Sequence, residues 1–136
     1  MQKNKGADIV SLTHHRPHST FKLADKYHPN ISVLTQSLLN KIGFDHDLKS
    51  FDQNPKFFNY FVASPSVLEA FNNELLKPII RLANLPELMN NSKYPKAFPP
   101  NLAEIYGVNF WPYHPFIAER LITIFATKHG LKVASF

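Results

Sequence analysis

Apolar positions along this chain fall into short groups with different spacings. Asp8-Ile-Val-Ser-Leu-Thr13 is a β-branched run that predicts a strand buried on at least one face. Ile31, Leu34, Leu38 and Ile42 repeat at three- and four-residue intervals, with Asn30 before them and Gly43 after. That spacing predicts a helix over 31–42, with Asn30 as the N-terminal cap and Gly43 at the C-terminal cap. Phe57 to Ala63 is the most aromatic stretch and predicts a second strand. Ser64 and Pro65 then supply a cap and a first helical residue. Val67, Leu68, Phe71, Leu75, Leu76, Ile79, Ile80 and Ala83 give the following helix, 66–84, a broad apolar stripe. Pro78 interrupts it and should kink or split it near Leu76, because proline has no N–H and crowds the carbonyl one turn back. The strongest helical pattern is 115–129, with Phe116, Ile117, Leu121, Ile124 and Phe125 facing inward and Gly130 as the stop.

Weaker signals fill the gaps. Residues 21–27 suit a short helix or turn, 85–91 one more helical turn, 101–107 a short helix, and 131–133 a final strand. Phe44–Pro55 and Ser92–Pro100 read as loops, the first of them exposed. No repeat or low-complexity segment is present. Together these elements predict one mixed α/β domain over residues 1–136, with 66–84 and 115–129 as its two main helices packed on short strands.

Composition narrows the class. Eleven prolines among 136 residues exclude a bundle of long helices. There is no cysteine, which excludes disulfides, thiolate nucleophiles and cysteine-bound metals. The net charge of +5 comes mainly from dispersed lysines, with only Arg16, Arg81 and Arg120 as arginines. That distribution makes nucleic acid an unfavoured partner. No run approaches the ~20 apolar residues of a membrane span, and no signal-like segment follows Met1, so a soluble cytoplasmic chain is expected.

Four groups could carry chemistry. Asp45-His46-Asp47 is either a solvated loop or a pair of carboxylates able to hold Mn²⁺ or Mg²⁺ against a diphosphate. His14, His15 and His18 are either a surface loop, a metal cluster, or an anion site shared with Arg16. Glu119 and Arg120 interrupt an apolar helix, so they form a fixed ion pair or face a pocket. Trp111, Tyr113 and His114 precede that helix, where aromatics either pack in a core or stack on sugars and bases. No Ser/His/Asp arrangement, glycine-rich phosphate loop or helical His-Glu-x-x-His pattern appears.

One order of residues has a family likeness. Asn59-Tyr60-Phe61-Val62-Ala63 is followed by a helix containing Leu76-Lys77-Pro78, then by a Tyr/Pro-rich loop. His114-Pro115-Phe116-Ile117-Ala118-Glu119-Arg120-Leu121 and Leu131-Lys132-Val133 complete the order. Over residues 57–133 this resembles the C-terminal part of bacterial and viral glycosyltransferase-like proteins of the capsule and lipopolysaccharide type. The resemblance implies the C-terminal half of a nucleotide-diphospho-sugar transferase fold, an α/β arrangement with a small mixed sheet flanked by helices, and the nucleotide-binding half supplied upstream or by another chain. It implies a sugar nucleotide or glycan as partner, and a role on the acceptor side. Glu119 and His114 would then serve the chemistry, and Trp111, Tyr113 and Arg120 would hold substrate. Asp45 and Asp47 are metal candidates by their spacing alone, since the triplet does not stand where such proteins carry their Asp-x-Asp. The other reading is a non-catalytic structural or interaction module, such as a virion or assembly component.

Overall fold

A computed structural model describes residues 6–12, 25–26, 28–48, 60–89 and 112–135. Three short strands form one mixed sheet in the order β2-β1-β3. β1 (Ile9–Ser11) is central. β2 (Phe61–Ala63) runs antiparallel to it, pairing Ile9 with Ala63 and Ser11 with Phe61. β3 (Val133–Ser135) runs parallel on the other side, pairing Ile9 with Val133. The expectation of a mixed α/β domain therefore holds. The Asp8 and Ile9 N–H groups both donate to the Lys132 carbonyl, at 2.9 and 3.1 Å, and the Lys132 N–H donates to the Asp8 carboxylate at 2.7 Å. These bonds align β3, which starts two residues later than the apolar pattern suggests.

Period-two alternation sets the two sheet faces. Ile9 and Ser11 are fully buried against the helices. Val10 points the other way, opposite Val62 and Ala134, and Val62 is exposed. Leu12 and Tyr60 continue that outer face and are exposed too. The expected strand over 57–63 is observed only from Phe61, because residues 57–59 lie outside the described ones.

α1 (Ile31–Lys41) ends as the sequence predicts. Gly43 has φ +71°, its N–H donates to the Asn40 carbonyl, and the Phe44 N–H donates to the Leu39 carbonyl. This is a Schellman turn, which needs a residue that tolerates left-handed φ. The other end differs from expectation. Asn30 is itself left-handed, at φ +68°, and its side chain makes no capping bond. A capping side chain reaches the first amides from an extended backbone, which Asn30 lacks. Asp25 does the work instead: its carboxylate accepts from the Ser32 N–H at 3.0 Å and from the Ser32 hydroxyl.

The second helical region starts with α2 (Pro65–Phe71), whose Ser64 side chain accepts from the Val67 N–H at 3.3 Å. It then widens into a π-helical turn, Asn72–Leu76, and continues as α3 (Lys77–Arg81). The Lys77 N–H bonds to the Asn72 carbonyl five residues back. Pro78 is accommodated directly after this wider turn rather than by a break, since a π turn relieves the clash that an α turn would impose on the preceding carbonyls. The longer turn also brings positions four apart into line. Phe71, Leu75 and Ile79 form the buried row, while Leu68 and Ile80, expected inside, are exposed.

α4 (Pro86–Met89) is short, and α5 (His114–Lys128) is the central helix of the core. Arg120 through Ala126 are all buried, so α5 is enclosed on every side over two turns. Burying each of Leu121, Ile124 and Phe125 contributes about 1.5–3 kcal/mol. Phe71 contacts Phe61 and Phe125 edge to face, with ring centres 6.3 and 5.6 Å apart, joining β2, α2 and α5. Gly130, at φ +62°, closes α5 with a second Schellman turn, through Gly130 N–H to Thr127 and Leu131 N–H to Ala126. Among the described residues no helix is long and apolar enough to cross a membrane.

Candidate functional site

Most of the site residues named from sequence lie at the start of α5. Tyr113 precedes the helix, and its N–H donates to the Leu88 carbonyl at 2.8 Å. Its ring is 8% exposed and its hydroxyl donates to the Pro29 carbonyl at 2.7 Å. Burial, then the nearby Asp25 charge, push the phenol above its ordinary pKa. Tyr113, expected as a stacking platform for sugar, is therefore a core residue. A tyrosine can be buried this way once its hydroxyl has a partner.

His28 is the residue that sequence reasoning missed. It is 7% exposed, and its ring lies on Phe116 with centres 3.7 Å apart and planes 28° from parallel. Burial, and then the Arg120 charge, lower its pKa from 6.5 to about 4. At neutral pH it is an uncharged ring in an apolar stack. A histidine beside Pro29 in a polar stretch gives no sign of burial. Its stacking partner Phe116 lies on a helix 88 positions later.

Glu119 and Arg120 separate into two roles. Arg120 is 4% exposed, and its guanidinium donates to the Phe116 carbonyl. It lies 3.8 Å from the Glu119 carboxylate, whose side chain is 36% exposed. Burial lowers the Arg120 pKa to about 10, and the Glu119 and Asp25 charges oppose that shift. It stays cationic at neutral pH. The expectation that both residues are partly buried and bonded within the protein holds. The proposed substrate contact by Arg120 meets a guanidinium already engaged inside the fold.

His114 is half-buried, and its Nε2 faces the Ala83 carbonyl. A carbonyl only accepts, so Nε2 carries the proton and cannot also bind a metal. His114 also borders an apolar cleft of about 100 Å³ between α1, α3, α4 and α5, lined by Leu38, Leu76, Ile79, Leu88, Ile117 and Leu121. That lining suits an uncharged apolar group and offers nothing to orient a sugar ring.

The metal candidates sit elsewhere. Asp45 and Asp47 are exposed on the loop after α1, and His46 is half-buried between them. The loop is not loose, as the sequence suggested. Gln36 donates to the His46 carbonyl at 2.9 Å and accepts from the Leu48 N–H at 2.9 Å. Lys128 donates to the Asp45 carbonyl at 2.8 Å and stands 4.3 Å from the Phe44 ring centre. Of the loop expected to be exposed, the described part, 44–48, buries Phe44 and Leu48 in the core and keeps Asp45 and Asp47 exposed. Burial and Lys128 lower the His46 pKa, and the two flanking carboxylates oppose that. Lys128 is nine residues beyond Glu119, about 13 Å along the helix. The carboxylate pair and the Glu119 site are therefore at opposite ends of α5. Among the described residues no group of three or more His, Asp or Glu could hold a metal ion.

Trp111, His14, His15, Arg16 and His18 lie outside the described residues, as do the expected helix at 101–107 and the loop at 92–100. Comparison with protein-family models, curated proteins and solved structures finds no match to this chain.

Proposed function

We propose that this chain is a glycosyltransferase-like domain or half-domain that supplies the acceptor, or glycan-binding, side of a site and does not transfer sugar alone. Glu119 carries the reading. Within Pro115-Phe-x-x-Glu-Arg-Leu121, Ile117, Arg120 and Leu121 are buried, while Glu119 keeps a third of its side chain open. A partly open carboxylate can accept a hydrogen bond from a sugar hydroxyl. No step of the proposed role uses a Mn²⁺ or Mg²⁺ ion at Asp45 and Asp47. Diphosphate stabilisation would come from another chain or segment.

Calorimetric titration with sugar nucleotides and a panel of free glycans tests this. The expected result is weak glycan binding and no turnover with Mn²⁺ or Mg²⁺. Glu119→Gln should weaken binding by about tenfold, the worth of one hydrogen bond to a charged group. Trp111→Ala should abolish it and Asp45→Ala should leave it unchanged. Turnover that disappears with Asp45→Ala would show a complete enzyme and overturn the proposal.

The exposed Leu12, Tyr60 and Val62 on the outer sheet face favour a second reading, a non-catalytic interaction module. Under that reading every sugar fails in the same titration.

A further inference from the structure

His28, Pro29 and Asn30 form one short stretch held against both α1 and α5, with Asp25 beside it. Asp25 caps α1 through Ser32, and the His28 carbonyl accepts from the Ile31 N–H at 3.0 Å. Pro29 receives the Tyr113 hydroxyl, and the His28 ring covers Phe116. Among the described residues Arg120 of α5 is the charge that acts on His28; Glu119 and Asp25 act in turn on Arg120, and Asp25 also on Tyr113 at the start of α5. Arg120 is a permanent cation, drawn toward Glu119 and Asp25. His28 is the one member of this cluster that changes from neutral to positive as the medium turns acidic.

We propose that this stretch is an acid-released clasp, closed on α5 while His28 is neutral and opened when His28 takes up a proton beside Arg120. A protonated ring there would bring a second positive charge next to Arg120 inside the fold and would lose solvation in the stack on Phe116. Opening returns the ring to water and uncovers Phe116 and the Tyr113 hydroxyl. This inference does not depend on glycan binding.

The sign follows from linkage. The closed state holds His28 at about 4, below the ordinary 6.5. Closure is therefore strongest above about pH 6.5, weakens as pH falls toward 4, and levels off below that. Across this window the open-to-closed ratio rises about tenfold per pH unit, two to three powers of ten in all.

The Ile31 amide reports the clasp directly. Hydrogen exchange on the full chain, corrected for the intrinsic pH dependence, should show Ile31 protection falling about tenfold per unit between pH 6.5 and 4. The Leu121 and Ile124 amides, deep in α5, should not follow it. His28→Phe keeps a flat ring on Phe116 without a titrating nitrogen and should remove the slope. A slope that persists in His28→Phe, or is missing in the unmodified chain, overturns the proposal. Should that variant fail to fold, the His28 ring is titrated by NMR in the unmodified protein. A midpoint below 5 supports the clasp, and one near 6.5 overturns it.

Discussion

The two ends of α5 are fastened by opposite kinds of chemistry. At its start, Tyr113, Phe116 and Arg120 meet the His28 stretch in a dry cluster where polar groups are bonded within the fold. At its finish, Lys128 lies over Phe44 and bonds to Asp45, and His129 pairs with Glu74 of the π turn at 2.8 Å, all near solvent. Removing one partner from a dry cluster strands the other, whereas water replaces a lost partner at a wet one. One helix thus has a brittle end and a forgiving end. The proposed glycan contact, Glu119, sits on the brittle side.

Urea unfolding of single variants can break this contrast. Arg120→Ala should cost most, about 2–5 kcal/mol, since it empties the space of a side chain that is 4% exposed and removes its bond to the Phe116 carbonyl. Glu119→Gln should cost much less, because that carboxylate is partly in water. Gly130→Ala comes next, at about 1–2 kcal/mol. A Cβ there meets no atom within 4 Å, so the cost is purely that of a left-handed backbone at φ +62°. Tyr113→Phe should cost about 1 kcal/mol through the stranded Pro29 carbonyl. Lys128→Ala should be smallest, about 0.5 kcal/mol. If Lys128→Ala matches Tyr113→Phe, the two ends are equivalent and the contrast fails. A double-mutant cycle on Glu119 and Arg120 would sharpen it, by giving the coupling of an open carboxylate to a buried cation.

The sequence revealed what depends on local rules. Ser64-Pro65 starts a helix, Gly43 and Gly130 end theirs, and the apolar rows of α1 and α5 lie in the core. These signals act over one or two turns of chain. The exposed Leu68 and Ile80 followed from the π turn, and the other misses came from partners beyond the local pattern. Asn30 has the right residue type for a cap but the wrong backbone, and Asp25 was five residues too early to be suspected. Tyr113 could be read as core or as a stacking ring, and the Pro29 carbonyl that accepts its hydroxyl decides for the core. The 44–48 loop looked solvated until Gln36 and Lys128 closed on its backbone. For the candidate site, the Glu119–Arg120 pair was legible because two charges interrupted an apolar helix. The His28 contact was not, because nothing near His28 in the chain announces Phe116.

The sheet order also governs when this protein can finish folding. β1 sits between its two partners, yet β2 leaves the ribosome about 70 residues before β3 does. At translation speeds of about 5–20 residues per second, β1 waits roughly 4–14 seconds with one side unpaired. During that interval the nascent chain carries an open strand edge, the kind of surface that joins to neighbouring chains. The outer face beside it holds Leu12, Tyr60 and Val62, which adds an apolar surface to that edge. Slow translation, low temperature and chaperone supply should therefore decide the yield of this protein more than its equilibrium stability does.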